Sequence, residues 1–351
     1  MNYEALKGSD PRAIFIAEAG INHDGNVETA KKMVDAAVEA GADYVKFQSF
    51  KAEKLVTPNA LTSSYIDAGS HKGESFRDLL KRLELTAEGH RVLKAYCDKK
   101  KINFLSTAFD AQSFDFLMQF KPDVVKVASG DLTNLPFLRH QAKAKLPMIV
   151  STGMATLGEI EEALDAITKT GNNRIVLLHC VSWYPAEIET THLRYMETLK
   201  KAFGFPVGYS DHTLGINVTI AARALGAVVL EKHFTMDSKQ FGPDHAASIE
   251  PHEMKAMVQG IRETEAALGS TVRQFGPKEL GQRKVHRRSI IVSRPVKAGE
   301  MFTANNLTIK RPGIGIKPKY WDDIINAKAR RALKAEEILD WPDIVQKDKS
   351  K

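Results

Sequence analysis

Short apolar runs that each carry a polar or charged residue near their end recur along most of the chain, and this pattern most restricts the fold. AIFIAEAG (13–20) carries Glu18, YVKFQSF (44–50) carries Lys46 and Gln48, and INFLSTAF (102–109) carries Thr107. VVKVASG (124–130) carries Lys126 and Ser129, MIVSTG (148–153) carries Ser151 and Thr152, and IVLLHCVS (175–182) carries His179 and Ser182. VGYSDH (207–212) ends on His212, and VVLEKHFT (228–235) carries Glu231 and His233. Runs this short suit buried strands, and helical patterns separate most of them. Eight such units are the count for a closed parallel (β/α)8 barrel. In that fold the site forms where the strands end, so reactive groups placed there read as catalytic.

The chain has 351 residues, room for a barrel of roughly 250 residues and one small domain. No apolar run approaches the roughly 18 residues of a membrane span. The start, MNYEALKGSDPR, lacks the cationic and apolar regions of a signal peptide. Cys97 and Cys180 are too few for a disulfide framework, so cytoplasmic residence is expected. The net charge of +7 is uneven: from Thr271 onward 19 Lys and Arg face 9 Asp and Glu. Without interleaved aromatics or a nucleic-acid motif, that surplus reads as a solvated face that draws in an anionic substrate, not as a nucleic-acid surface.

Residues 27–40, 157–168 and 216–225 carry apolar residues at helical spacing, with Gly41 and Gly226 placed as C-caps. The stretch 51–101 exceeds one ordinary connection. Its later part looks helical with Thr86 as N-cap; TPNALTSSYIDAGSHKGES (57–75) reads as a loop insertion walling the catalytic face. After Gly269 the pattern changes. Residues 1–269 are expected to form the barrel, 270–286 a linker, and 287–351 a small β-rich domain that docking or dimerisation supports.

His212 and His233 end the seventh and eighth strands, and neighbouring strands lie about 4.8 Å apart, so both imidazoles can reach one metal ion. Alternatively, one of them merely hydrogen-bonds Asp211 or Glu231. Two imidazoles without a thiolate suit Mn, Co, Fe or Zn better than Mg. Lys46 and Lys126 lie in apolar strands where an unpaired cation is costly. Each needs an anion, either a carboxylate such as Glu18 or a bound phosphate. Thr107, Ser129, Ser151 and Ser182 add hydroxyls from neighbouring strand ends, a set that suits a phosphorylated, carboxylated substrate.

IAEAGINHDGN, VKFQSF, FLSTAFD, KVASGDLTN, VSTGMATLGEIEEAL, LLHCVSWYP, VGYSDHTLGI, LEKHFTMD and GPDHAASIEP together resemble the sialic acid synthase family. SIIVSRPVKAGEMFTANNLTIKRPGIGI resembles the antifreeze-like (SAF) domain that closes these enzymes. The resemblance implies condensation of phosphoenolpyruvate with an N-acyl hexosamine and water, giving an ulosonate and phosphate by C–O cleavage. N-acetylmannosamine is the expected sugar and 2,4-diacetamido-2,4,6-trideoxymannose the alternative. It implies His212 and His233 as ligands of a divalent metal, Mn²⁺ first with Co²⁺ or Mg²⁺ as alternatives. Lys46, Thr107, Lys126, Ser129 and Ser151 would hold phosphoenolpyruvate, and Tyr184 would line the site.

Glu18 is the candidate for activating water or a sugar hydroxyl, and Glu231 and Asp244 for orienting the sugar. Gln48, Phe109, Asp131 and Ser182 complete the expected substrate contacts. Arg311 would reach in from the small domain of the partner subunit in a domain-swapped homodimer. Some family members have Asn where this chain has Ser182. INHDG and GPDHAASIEP favour the neuraminate and legionaminate branches over the pseudaminate branch. Ice binding by the small domain is disfavoured by its charge. A Schiff-base lyase on the same barrel would need Lys46 or Lys126 with a depressed pKa.

Overall fold

The computed structural model describes residues 1–8 and 11–345, and they divide into two compact units that part between Gly269 and Ser270. In the first unit the eight apolar runs become parallel strands: β1 (Ile14–Gly20), β2 (Tyr44–Ser49), β3 (Asn103–Ala108), β4 (Val125–Val127), β5 (Met148–Ser151), β6 (Ile175–Cys180), β7 (Val207–Asp211) and β8 (Val229–His233). Their hydrogen-bonded order is β3-β2-β1-β8-β7-β6-β5-β4. The first and last strands therefore pair, and the sheet curls into a nearly closed barrel whose gap falls between β3 and β4. Strand β4 spans only three residues, which leaves little ladder to close that gap.

Side chains alternate in and out along each strand, so every second residue faces the barrel interior. Ile16, Tyr44, Leu105, Val124, Ile149, Leu178 and Val229 form one apolar cluster filling the lower interior. Two residues further along the same strands stand Glu18, Lys46, Thr107, Lys126, Ser151, Cys180 and Glu231. The polar groups are thus the second inward layer, resting on a packed apolar plug. The outward residues, among them Phe15, Val45, Phe47, Val150, Leu177 and Leu230, pack against the helices in a separate, larger cluster.

Helix Val27–Ala40 is capped by the Asn26 side chain and ends at Gly41 with φ 79°, a left-handed position that suits glycine. Helix Leu157–Thr168 opens on a capping box of Thr156 and Glu159. Helix Asn217–Ala224 is one residue shorter at each end than the periodicity predicts. Thr86 caps helix Ala87–Lys100 as expected. The insertion is less loop-like than its composition suggests, because helix Ser64–Ala68 interrupts it. Ile66 is half-buried against a satellite apolar cluster that includes Ile21, Phe50, Leu79 and Leu83, and burial orders a segment of weak propensity.

In the second unit strands Ser289–Val292 and Leu307–Lys310 pair antiparallel, with Leu307 opposite Val292. Ile290, Val292, Phe302, Leu307, Ile316, Leu339 and Ile344 form its core. The stretch read as a linker contains helix Pro277–His286, which belongs to this unit. Gly313 N–H donates to the Lys284 carbonyl at 2.8 Å, and a Cβ at Gly313 would lie 2.5 Å from Arg287 Cβ. Glycine there lets the segment after Arg311 lie flat on the end of that helix. Residues 346–351 of the expected small domain lie outside the described residues. Among those described, no helix is long and apolar enough to cross a membrane.

Candidate active site

The inward polar layer opens into a cavity of about 610 Å³ at the C-terminal ends of the strands. Of the residues expected there, Glu18, Lys46, Gln48, Thr107, Phe109, Lys126, Ser129, Ser151, Ser182, Tyr184, His212, Glu231, His233 and Asp244 all line it. Register explains the convergence, since Glu18 lies opposite Lys46 on one side and His233 on the other, and Ser210 lies opposite Glu231. Residues from distant parts of the chain thus share a level in the barrel.

Lys46 Nζ lies 2.9 Å from Glu18 Oε2 and 3.7 Å from Glu231 Oε2, and it donates to Thr107 Oγ1 at 3.1 Å. Lys126 Nζ donates to Ser151 Oγ at 2.7 Å and lies 3.6 Å from Glu231 Oε1. Ser210 Oγ donates to Glu231 Oε1 at 3.1 Å. Glu18 Oε2 and Glu231 Oε2 make no hydrogen bond of good geometry although both are buried. The Lys46 ammonium 2.9 Å away compensates the buried Glu18 oxygen, whereas Glu231 Oε2 has Lys46 only at 3.7 Å, so that oxygen is the one a bound polar group can relieve.

Burial separates the titrations of these groups. Burial pushes Glu18 up to about 7, with Lys46 opposing and Glu231 adding to the rise. Burial would also raise Glu231, but Lys126 and Lys46 outweigh it and hold Glu231 below the usual range. Lys46 stays above its ordinary value because Glu18 and Glu231 more than offset its burial. Burial lowers Lys126, with Glu231 only partly offsetting it. Near neutral pH the floor therefore holds one ionised carboxylate and one carboxyl near its midpoint, beside two lysines shifted in opposite directions, a pattern typical of acid–base sites.

Above this layer the His212 and His233 rings stand 5.6 Å apart between centroids. The His212 Nδ1 lies 2.5 Å from the Val181 carbonyl. A carbonyl can only accept, so Nδ1 carries the proton and Nε2 presents its lone pair. His233 Nδ1 is buried and unpartnered, with Asp244 Oδ2 3.6 Å away. Burial holds His212 down to about 4 and His233 well below its ordinary value, so both are neutral at physiological pH. Two neutral imidazoles, one oriented through its far nitrogen and one with an orphaned buried nitrogen, fit a divalent metal. Among the described residues no three His, Cys, Asp or Glu side chains converge as a metal cage.

Tyr184 lies over His212 with centroids 4.1 Å apart and meets His233 edge-on at 5.6 Å. Tyr65, from the insertion, packs on Tyr184 at 5.1 Å. Burial pushes Asp244 up to about 6, with His245 opposing. Outside the barrel wall, directly behind the histidines, Lys232 and Asp211 form a buried ion pair at 2.7 Å.

One expected residue of the first unit is not gathered at this cavity. Asp131 does not line it: β4 ends at Val127, and the 3₁₀ turn Ser129–Asp131 presents Ser129 and Gly130 to the cavity instead. The Asp131 carboxylate accepts from Asn134 at 3.4 Å. Arg311 belongs to the second unit, where it is exposed beyond strand Leu307–Lys310. Conversely, Cys180 and Ser210 line the cavity without having been singled out. Their signal was parity, since they stand two residues before Ser182 and His212. Tyr65 had no comparable signal, because only tertiary packing brings the insertion onto Tyr184.

Residues 33–273 match the NeuB family and residues 287–345 the SAF domain. This chain belongs to the NeuB family. It is 42% identical over 330 residues to the N,N'-diacetyllegionaminic acid synthase of Campylobacter jejuni, covering 93% of this chain and 99% of that one. It is 43% identical to the enzyme of the same name from Legionella pneumophila, covering 96% of each. The crystal structure of the N-acetylneuraminic acid (sialic acid) synthetase of Leptospira borgpetersenii in complex with citrate superposes with a TM-score of 0.69 at 33% identity, over 77% of this chain and 90% of that one. This NeuB-family chain is a nonulosonic-acid-type synthase. The sialic acid synthase resemblance, the barrel and the SAF domain expected from the sequence are all borne out.

Proposed function

We propose that this enzyme condenses phosphoenolpyruvate with a 2-acetamido sugar aldehyde and water to give a nonulosonic acid and inorganic phosphate. The observation that carries this is the convergence of Lys46, Lys126, Thr107, Ser129 and Ser151 beside two facing neutral histidines in one cavity. The lysines and hydroxyls suit phosphate and carboxylate of phosphoenolpyruvate. A divalent metal, Mn²⁺ in the first instance, held by His212 and His233 would polarise the aldehyde oxygen. The enol carbon C3 bonds to the aldehyde carbon, and the aldehyde oxygen takes up a proton. Positive character at C2 develops beside Glu231, whose ionised, partly unpartnered carboxylate stabilises it. Glu18, titrating near neutrality, accepts a proton from the water that attacks C2. The resulting C2 intermediate carries the new hydroxyl; its C2–O bond to phosphate breaks, the hydroxyl oxygen closes to the carbonyl of the ulosonate, and the hydroxyl proton leaves with the phosphate and its bridging oxygen.

The identity to enzymes named for a diacetylated product favours a sugar with two acetamido groups over N-acetylmannosamine as the partner. A Schiff-base lyase would not use the ion-paired Lys46, which stays protonated. Lys126, lowered by burial, meets that requirement, and borohydride trapping with pyruvate, expected to give no covalent adduct, separates the two readings. The test is phosphate release from phosphoenolpyruvate carrying ¹⁸O at the bridging position, with a panel of 2-acetamido sugars. Label is expected in phosphate. Label retained in the sugar product, or no phosphate with any sugar of the panel, refutes the proposal.

A further inference from the structure

Two stretches of the sequence meet beside the cavity: INHDG (21–25), in the turn that follows β1, and GPDHAAS (242–248), in the connection that follows β8. The second delivers Asp244, whose Oδ2 stands 3.6 Å from His233 Nδ1. The first supplies Asn22, which is buried and is not among the residues that line the cavity. Asn22 Nδ2 donates to two acceptors at 2.9 Å each, the Phe234 carbonyl and Ser248 Oγ. Ser248 Oγ in turn donates to the Asp244 carbonyl at 2.7 Å. Carbonyls only accept, so the Phe234 carbonyl fixes the orientation of the Asn22 amide and the Asp244 carbonyl fixes the direction of the Ser248 hydroxyl. Phe234 directly follows His233. One buried side chain thus ties the end of β8, beside His233, to the turn that presents Asp244. These bonds all fall on backbone or on Ser248, so they set where the Asp244 carboxylate stands without occupying it. A second tie runs in parallel, with Thr235 Oγ1 and His245 Nδ1 2.7 Å apart.

We infer that Asn22 is a positioning residue for the sugar: acting through Ser248, it sets the separation of Asp244 from His233 and so the place at which the sugar meets the Asp244 carboxylate. The inference rests on the reaction proposed above, with Asp244 as a contact of the sugar. Its effect is confined to one substrate by the topology. Thr107, Lys126 and Ser151 stand on β3, β4 and β5, and Ser129 on the turn after β4, and Asn22 bonds none of these elements. Removing the Asn22 amide leaves the Phe234 carbonyl and the Ser248 hydroxyl without their donor. The turn then loses its inner anchor and keeps the His245 tie, so Asp244 shifts while the chain stays folded. The phosphoenolpyruvate groups do not move with it.

The test follows phosphate release at varied sugar and at varied phosphoenolpyruvate. The sugar is whichever of N-acetylmannosamine and 2,4-diacetamido-2,4,6-trideoxymannose the native enzyme turns over faster. A misplacement of about 1 Å costs up to about 10²-fold, and the His245 tie limits the shift, so Asn22→Ala is expected to lower kcat/KM for the sugar roughly 10-fold and to leave KM for phosphoenolpyruvate within about 2-fold. Ser248→Ala is expected to show the same split. The double variant Asn22→Ala/Ser248→Ala should lose no more than about 2-fold beyond the worse single, because both changes break one chain of bonds. Melting temperature checks the fold. If Asn22→Ala does not fold, Ser248→Ala carries the test, since it removes one hydroxyl and leaves the bond from Asn22 to Phe234 in place. Equal losses against both substrates, no loss against the sugar, or losses that multiply in the double variant overturn Asn22 as a positioning residue while leaving the reaction standing. Native kinetics in Asp244→Asn would remove the sugar contact on which the inference rests, and no phosphate with either sugar would remove the reaction itself.

Discussion

The buried pair behind the histidines yields the sharpest quantitative prediction. Lys232 and Asp211 are each 1% exposed, and they lie on adjacent strands β8 and β7 in the outward positions next to His233 and His212. Asp211 has other donors: the Thr213 N–H at 3.0 Å, Thr213 Oγ1 at 2.8 Å and Thr219 Oγ1 at 2.6 Å. Lys232 has, besides Asp211, the Thr213 carbonyl at 2.7 Å. Removing one member of a buried pair costs about 3–5 kcal/mol, because an uncompensated charge is left behind. The asymmetry of partners decides which removal is worse. Asp211→Ala leaves an ammonium with one neutral acceptor and should cost about 4 kcal/mol. Lys232→Met leaves a carboxylate with three donors and should cost about half as much, roughly 2 kcal/mol. The double variant Asp211→Ala/Lys232→Met leaves no charge, so its cost should fall well below the sum of the singles. Urea unfolding monitored by circular dichroism, on the first unfolding transition, measures all three. Single costs below about 1 kcal/mol, or additivity within about 0.5 kcal/mol, would refute the reasoning.

Three further outcomes are expected. Because burial lifts Glu18 to about 7, and the reaction needs it ionised, kcat should rise with pH through an apparent pKa near 7; Glu18→Gln should lower kcat by about 10²- to 10⁴-fold and erase that limb, and an unchanged acid limb would exclude Glu18 as the base. His212→Ala and His233→Ala should each abolish turnover with the melting temperature retained, and chelation should silence the native enzyme until Mn²⁺ is restored; full activity after exhaustive chelation would remove the metal from the mechanism. If Arg311 serves the site of a partner subunit, mixing Arg311→Ala with His233→Ala under conditions of demonstrated subunit exchange should restore part of the activity, and no recovery would refute that exchange.

The amino-acid sequence alone determined the barrel and most of its floor. Eight short apolar runs admit few closed arrangements, and alternation sorts each run into outward residues and inward ones. Lys46, Lys126, Glu231 and His233 are conspicuous because charge or imidazole inside an apolar run is expensive unless a site uses it. The start of helix Ala87–Lys100 was legible for a similar reason, since Thr86 satisfies an N–H group within a few residues of itself. Other features had no local signal. That Glu18 lies beside both Lys46 and His233 depends on the registers of β1 with β2 and β8, which closure of the barrel sets. Asp131 turns away because β4 stops early, a consequence of the turn and not of the run's composition. Helix Pro277–His286 was hidden too, because its composition reads as polar linker. Side-chain chemistry and alternation are properties of neighbouring residues, so a sequence displays them directly. Partners, layers and the split between Glu18 and Glu231 depend on which distant residues are brought close, and only the folded chain decides that.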